Sequence, residues 1–385
     1  MKDKYGMSWL ERINSAGELR SPFLLTDIEV IKGQCRLFRK NFPRISLYYA
    51  VKAFSSKEVL YALDGFVDGY DAASMAEINL LLEIGVSPTR IDFSNPVKSE
   101  SSIRQAAEKS IYKFAFQSKG ELEKIARNAA HAEVYARVEL GNARDAQNFS
   151  SKFGCTPDDT LGYMLYAQQI GLKPTGVTFH VGSQATDVSA WGRAIQRAQT
   201  LLKAMRSQGV DVQLINIGGG LPVQYKNEDP SIADVADAIN VAIDACGEDF
   251  SYIAEPGRFL VADSSVVVAT VIGREDRGGE PWLFLDAGAF QAFFEIFEFN
   301  RLLQPVYSLR HLELTDGTAH ETYTLTGPSC DSYDTLSHDV RLPKGIKEGD
   351  KLMFTKAGAY TVAYGSNFNG FAVPSQHYVK AEVMV

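Results

Sequence analysis

The sequence has few cysteines and no long apolar run. Four cysteines in 385 residues, with no Cys-x-x-Cys pair, exclude a disulfide scaffold and argue against a zinc ribbon or a dithiol motif. No apolar run approaches the roughly 18–20 residues that span a bilayer, and the first residues lead into no apolar signal segment. We therefore expect a reduced, cytoplasmic protein with no membrane partner and no metal site.

Positive charge is also scarce. The chain carries 47 acidic and 39 basic residues, a formal net charge of −8, and its Lys and Arg residues form no stripe. Nucleic-acid binding needs a basic surface that displaces counterions from phosphates, so we expect no nucleic-acid partner. With 45% hydrophobic and 22% charged residues the composition is otherwise that of a globular protein, which excludes disorder and coiled coil as the main architecture.

Short β-rich runs alternate with helical patterns through most of the first 260 residues. The predicted strands are 46–51, 69–71, 91–94, 112–116, 133–140, 176–180, 214–217 and 252–254, and the predicted helices between them include 75–82, 102–109, 119–129, 160–170, 190–207 and 232–245. Strands that alternate with helices predict a parallel sheet. Eight such units over roughly 230 residues match an eight-stranded parallel β/α barrel, with an open doubly wound sheet as the alternative.

The pattern changes after residue 260 to strands separated by turn residues. The predicted strands are 266–272, 282–285, 321–326, 351–355 and 377–385. We therefore predict an α/β protein with a cofactor-binding β/α barrel over residues 22–260 and a C-terminal all-β domain over residues 261–385. The weakly patterned stretch Met1–Leu24 is a candidate for one more strand of the β domain, and residues 1–21 would then contribute to that domain.

Chemically distinctive residues follow the predicted barrel strands. Lys52 follows the first strand, His180 ends a later one, and Glu255 follows the last. The carboxyl ends of barrel strands carry the active site, so a cation, an imidazole and a carboxylate on this rim indicate chemistry. In a poorly solvated site a lysine has a lowered pKa and becomes a Schiff-base nucleophile. Alone, such a lysine would more often extend its amine into water.

A predicted anion site accompanies these residues. Gly218-Gly219-Gly220 follows a strand directly, and three glycines let backbone N–H groups converge on an anion, although such a run alone is a weak signal. Ser183 would add a hydroxyl and Arg258 charge-assisted hydrogen bonds. Glu255 would lie at one end of the bound ligand and the anion site at the other. This arrangement suits a ligand with a basic ring nitrogen and a phosphate. Pyridoxal 5'-phosphate is such a ligand, with an aldehyde for Lys52.

Seven motifs in order extend this interpretation. They are Tyr48–Lys52, Tyr70–Ser74, Phe179–Ser183, Ile217–Gly220, Glu255–Arg258, Gly327–Asp331 and Gly358–Tyr360, the last followed by Phe368–Phe371. Together they resemble the ornithine/diaminopimelate/arginine decarboxylase family, whose members use pyridoxal phosphate on an alanine-racemase-like barrel. The resemblance runs from about Pro22 to the C-terminus and is closest to ornithine and lysine decarboxylases.

The resemblance implies a role for each matching residue. Lys52 would bind the cofactor aldehyde, His180 would stack on the ring, and Glu255 would pair with the protonated ring nitrogen. The remaining cofactor-binding residues would be Asp71, Arg137, Ser183, Gly218, Gly219, Gly220, Arg258 and Tyr360, with Glu77 nearby.

A second group of residues would act on the substrate. The resemblance implies a homodimer in which Cys330 and Asp331 reach into the partner's active site. Cys330 would be the proton donor to the carbanion carbon, and Asp331 would bind the distal ammonium of the amino-acid substrate. Phe368 would line the pocket.

The substrate is less well defined. Ornithine decarboxylases carry a second acidic residue on the segment after Asp286, where an ungapped alignment here places Phe299. Either Glu298 or Glu295 would have to replace that acid. We expect decarboxylation of a basic L-amino acid, L-ornithine first and L-lysine second. Other substrates of the family (carboxynorspermidine, diaminopimelate or a siderophore precursor) remain open, as does a catalytically silent cofactor-binding regulator.

Overall fold

The computed structural model describes residues 4–141, 152–247, 249–312 and 318–379. The chain divides into two compact units: Lys32–Phe259, called the barrel unit below, and Met1–Ile31 with Leu260–Val385, called the β unit. The sequence-based boundary at residue 22 lies ten residues before the start of the barrel unit, because the strand Phe23–Asp27 belongs to the β unit. No helix within the described ranges is long and apolar enough to cross a membrane.

Strands and helices alternate along the barrel unit. The strands of the chain are β1 (Phe23–Asp27), β2 (Ile45–Ala50), β3 (Gly69–Ala72), β4 (Ile91–Phe93), β5 (Lys113–Phe116), β6 (Glu133–Arg137), β7 (Lys173–Thr178), β8 (Leu214–Asn216), β9 (Ser251–Ala254), β10 (Ser265–Arg277), β11 (Glu280–Leu285), β12 (Val306–Ser308), β13 (His320–Thr326), β14 (Thr335–Pro343), β15 (Lys351–Phe354) and β16 (Ser375–Val379). The helices are α1 (Lys4–Ser15), α2 (Ile28–Asn41), α3 (Lys57–Leu63), α4 (Met75–Glu83), α5 (Glu100–Glu108), α6 (Lys119–Asn128), α7 (Pro157–Gln169), α8 (Val188–Ser207), α9 (Ile232–Asp244), α10 (Arg258–Val261) and α11 (Ile296–Phe299).

Strands β2 to β9 close into a parallel barrel, which confirms the predicted fold class and excludes the open sheet. All eight predicted strands are present to within a few residues. The first and last strands of the barrel are hydrogen-bonded to each other, because β2 pairs with β3 on one side and with β9 on the other. The carboxyl ends of all eight strands therefore lie on one rim.

Local sequence signals begin the barrel helices. Helices α3 to α9 each start after a Ser, Thr or Asp whose side chain accepts a hydrogen bond from a backbone N–H of the first turn. These residues are Ser56, Ser74, Ser99, Ser118, Thr156, Asp187 and Ser231. Because each cap follows the end of a strand, it fixes the point at which the rim loop ends and the helix begins.

The β unit is built on an eight-stranded sheet. Its path runs β12-β15-β10-β11-β13-β14, and β1 pairs with both β10 and β16. Trp9 on α1 packs on Phe23, Val266 and Met353 in its core. In the stretch Met1–Leu24, α1 is a helix, and the suggested extra strand is found only at the end of the stretch, where β1 begins at Phe23. The last predicted strand corresponds to β16, and its residues beyond Val379 lie outside the described ranges.

Candidate active site

The amine of Lys52 lies against a buried carboxylate at the rim of the barrel. Lys52 sits on the single 3-10 turn Val51–Ala53 that follows β2, and its Nζ is 2.8 Å from Oδ2 of Asp71 on β3. Ser94 donates a hydrogen bond to the other oxygen of Asp71. The Lys52 side chain is 49% exposed, so the expectation of a poorly solvated amine is wrong. Its position is fixed by the charge of Asp71 instead of by burial.

Glu255 is a buried acid directly after β9. Its Oε1 accepts a hydrogen bond of 2.5 Å from the side-chain amide of Asn216, and its backbone N–H donates to the carbonyl of Gly218 at 2.8 Å. Burial, followed by the charge of Asp71, raises the pKa of Glu255 to about 8. A cationic ligand group at this carboxyl would lower that pKa and relieve the cost of ionising it, so Glu255 suits a protonated ring nitrogen.

His180 contributes a neutral imidazole to the same rim. The backbone N–H of Gly182 donates to Nδ1 of His180 at 2.9 Å, so Nδ1 carries no proton and the neutral ring is protonated on Nε2. Burial, helped by the charges of Arg137 and Lys52, lowers the pKa of His180 well below its usual value. An uncharged, half-buried ring is suited to lie flat against an aromatic ligand.

The triple-glycine turn has no room for side chains. Gly218 and Gly220 have φ of +68° and +95°, which residues with a Cβ rarely adopt. A Cβ on Gly220 would overlap the carbonyl oxygen of Gly182, and one on Gly219 would lie 2.8 Å from that of Glu255. The turn therefore packs directly on the segments that carry His180 and Glu255.

Arg258 lies in a pocket of hydroxyl groups beside this turn. Its Nη1 donates to the Tyr225 hydroxyl at 3.2 Å and its Nη2 to Oγ of Ser183 at 3.4 Å. The loop that carries Ser183 is joined to the turn by a hydrogen bond from the N–H of Ala185 to the carbonyl of Gly220. A buried guanidinium, two hydroxyls and a glycine turn are the donor set that a phosphate requires.

Two further expected residues lie near the same acids. Arg137 ends β6, and burial lowers its pKa against the opposing charges of Glu255 and Asp71. Glu77 on α4 accepts a hydrogen bond from the N–H of Ala73, and burial raises its pKa. The barrel unit therefore brings together the expected residues that its sequence contributes.

Sequence reasoning assigned no role to three polar residues of this rim. Asn216 joins Glu255 to the N–H of Gly218, Ser94 contacts Asp71, and Tyr225 contacts Arg258. Asn216 had a usable signal, because it is the single polar residue in the apolar strand just before the glycines. Tyr225 had none, since only the fold brings it to Arg258.

In the β unit, Cys330 and Asp331 lie on an exposed turn. The backbone N–H and the Sγ of Cys330 both donate to Oδ1 of Asn369, at 3.3 and 3.4 Å. Asp331 accepts a hydrogen bond from the N–H of Tyr333 at 2.9 Å. Phe368, next to Asn369, packs its ring 4.6 Å from that of Phe290.

These residues border a surface that we call the aromatic cluster. Its ring contacts join Phe290, Phe294, Phe297, Tyr333, Tyr360, Tyr364 and Phe368. Phe297, Tyr333, Tyr364 and Phe368 are each exposed by more than a third. Glu295 and Glu298 lie at its edge, where burial and their charges raise the pKa of Tyr364. Glu295 itself is buried.

Comparisons with known proteins agree with this geometry. A sequence profile described as "Pyridoxal-dependent decarboxylase, pyridoxal binding domain" matches residues 28–262. A lysine/ornithine decarboxylase of Selenomonas ruminantium is 32% identical over 92% of this chain and 89% of its own length. Antizyme inhibitor 2 of Xenopus laevis is 32% identical over 94% of this chain and 82% of its own.

Solved structures extend the similarity to the whole fold. The arginine decarboxylase of Paramecium bursaria Chlorella virus, solved with agmatine, covers 97% of this chain and 100% of its own with a TM-score of 0.90 and 28% identity. The cofactor named by the family profile has an aromatic ring, a basic nitrogen and a phosphate, and the residues of this rim are chemically suited to such a ligand. The chain therefore belongs to the pyridoxal-phosphate-dependent decarboxylases of basic amino acids, which are carboxy-lyases.

Proposed function

We propose that the chain converts L-ornithine to putrescine and CO2, and L-lysine to cadaverine more slowly. The observation that carries this proposal is the position of the acids of the β unit, because Asp331, Glu295 and Glu298 all border the aromatic cluster. An apolar surface with carboxylates at its edge suits a substrate with a methylene chain and a distal ammonium. The names of the relatives support the same substrate class.

The residues of the barrel unit would bind and orient the cofactor. Bound pyridoxal phosphate supplies a cationic ring that accepts the electron pair left by CO2. Glu255 would hold a proton at the ring nitrogen, Lys52 would bind the aldehyde carbon, and the neutral His180 would cover one face. Ser183, Arg258 and the glycine turn would bind the phosphate, and Tyr360 is proposed as a further phosphate ligand from the resemblance alone.

Cys330 and Asp331 of the β unit would serve the active site of a second copy. Cys330 is exposed with its thiol beside Asn369, and a thiol is an acid able to protonate the α-carbon. Exposed aromatic rings are typical of protein interfaces, so the aromatic cluster supports a homodimer. A catalytically silent regulator would have no use for a proton donor at this position.

The substrate is tested by product analysis over ornithine, lysine, diaminopimelate and carboxynorspermidine. We expect kcat/KM to be highest for ornithine, followed by lysine. Asp331→Asn is expected to raise KM for ornithine at least about tenfold, because a hydrogen-bonded ion pair is lost. Of Glu298→Gln and Glu295→Gln, the variant with a similar rise identifies the second acid. Asp339→Asn, a substitution on the exposed edge of β14, is the control.

Two results would contradict this substrate. A preference for diaminopimelate would require a cation for its distal carboxylate where we place acids. Unchanged KM values in Asp331→Asn and in both Glu variants would show that none of these acids binds the substrate.

The glycine turn is predicted to determine affinity for the cofactor. Gly220→Ala forces a Cβ against the carbonyl of Gly182 and disfavours the left-handed backbone. We expect the Kd for pyridoxal phosphate to rise at least about tenfold, measured by absorbance titration of the apoprotein. Gly120→Ala on α6, where nothing lies within 4 Å of the added Cβ, should bind as wild type does. Equal affinities in the two variants would refute the phosphate site.

We propose a cytoplasmic location on the basis of the thiols. All four cysteines are free. Unpaired thiols are usual in reducing compartments, which supports a cytoplasmic location.

A further inference from the structure

The interior of the barrel contains charged and phenolic groups where branched aliphatic side chains are usual. Asp92 on β4 is 1% exposed. Its neighbour Phe93 packs on Phe114 of β5 and on Lys98, so Asp92 faces the opposite side of the sheet. A fully buried carboxylate costs stability unless it is compensated, so Asp92 calls for an explanation.

Asp92 has one cation beside it. Nζ of Lys113, the first residue of β5, is 3.7 Å from Oδ1 of Asp92, and that oxygen makes no hydrogen bond within the described part of the chain. The Lys113 side chain is 33% exposed, and its amine lies 5.9 Å from the ring centroid of Tyr48. The pair therefore extends from the half-exposed start of β5 into the barrel.

Asp92 is also the direct strand neighbour of Asp71. The register of β3 and β4 aligns their Cα positions, and paired residues of adjacent strands point to the same face. Two carboxylates on paired residues of adjacent strands repel each other. The pKa of Asp92 is raised to about 7, mainly by burial and further by the charge of Asp71. The groups that act on Asp92 come from every neighbouring element: Tyr48 on β2, Asp71 on β3, Lys113 on β5, and Glu133 and Tyr135 on β6.

We propose that Asp92 is a positioning residue that offsets the cation of Lys113 inside the barrel, so that the carboxylate of Asp71 stays directed at the amine of Lys52. The negative charge of Asp92 and the positive charge of Lys113 cancel, so together they add no net charge near Asp71. Without Asp92, the charge of Lys113 is no longer offset inside the barrel and disfavours a second positive charge at the end of the Lys52 side chain. The inference rests on the proposed attachment of the cofactor to Lys52.

The test measures the pH midpoint of the visible absorption of the holoenzyme, which reports the protonation of the nitrogen that joins Lys52 to the cofactor. Asp92→Asn should lower this midpoint by about one pH unit, because the positive charge of Lys113 is then no longer offset by Asp92. The double variant Asp92→Asn/Lys113→Met removes both charges and should return the midpoint to within about 0.3 units of wild type. Asp244→Asn, at an exposed ion pair with Arg44, is the matched control and should not shift it.

A second neutral variant covers the case in which Asp92→Asn does not fold. Asp92→Thr has a higher strand propensity and should show the same acid shift. An unshifted midpoint in either folded neutral variant overturns the inference, as does a shift that the double variant does not reverse. These outcomes differ from failure of the proposed function, in which the wild-type visible band would persist in Lys52→Met or borohydride would not fix the cofactor on Lys52.

Discussion

Lys52→Met is expected to lower the rate of decarboxylation by at least about a thousandfold, because the side chain can no longer bind the cofactor aldehyde. Borohydride treatment of the wild-type holoenzyme should fix the cofactor on the peptide that contains Lys52, and the variant should show no such product by mass spectrometry. Lys57→Met, five residues along and paired with Glu83 on the surface, is the matched control and should keep wild-type activity.

The same variant tests whether two copies share their active sites. Lys52→Met and Cys330→Ala should each have little activity alone. After mixing and subunit exchange, half of the dimers carry one substitution in each subunit, and one of their two sites contains neither change. About a quarter of wild-type activity should then return. Mixtures without activity, in spite of subunit exchange seen by native mass spectrometry, would mean that Lys52 and Cys330 act in the same subunit.

The chemistry of the rim was accessible from sequence because each signal is local. Lys52, His180, Glu255 and the glycine turn each follow a strand whose apolar run is visible in the sequence, and a barrel places all strand ends on one rim. The helix caps are equally local, since a Ser or Thr precedes most predicted helices. Hence the order and limits of the barrel strands could be predicted closely.

Other features depend on contacts between distant segments. Strand β1 has only five residues and is stabilised by pairing with β10 and β16, more than 230 residues away. The pairing of Lys113 with Asp92 and of Tyr225 with Arg258 follows from barrel register and loop paths, which no local pattern encodes. The solvent exposure of Lys52 was also misjudged, because burial depends on the residues that surround the rim and not on the preceding strand.

Glu255→Gln is expected to lower kcat by about a hundredfold or more, with a smaller effect on KM. An amide cannot hold a positive charge at the ring nitrogen. The ring then accepts less well the electron pair that CO2 leaves on the α-carbon of the substrate. The substitution is nearly isosteric and can keep the contact with Asn216, so cofactor loading, measured by absorbance, should stay close to that of wild type. Full kcat in a loaded variant would remove Glu255 from the proposed chemistry.

In the cofactor-free protein the same Glu255→Gln substitution should be favourable, because it should raise the stability of the fold. Because burial raises the pKa of Glu255 from 4.5 to about 8, the folded state binds more protons than the unfolded chain between these pH values, and stability falls as pH rises through this window. The amide of the Glu255→Gln variant has no proton to lose, so the Tm of the apoprotein variant should match wild type near pH 4.5. At pH 8 it should exceed the wild-type Tm by about 1–4 °C, the equivalent of about 1–2 kcal/mol once relaxation around the ionised carboxyl is allowed for. Adding pyridoxal phosphate should narrow the difference, since the ring cation compensates Glu255 only in wild type. A Tm difference that is the same at both pH values would show that burial does not penalise the ionised carboxyl, and the argument that its site is built for a cation would fail.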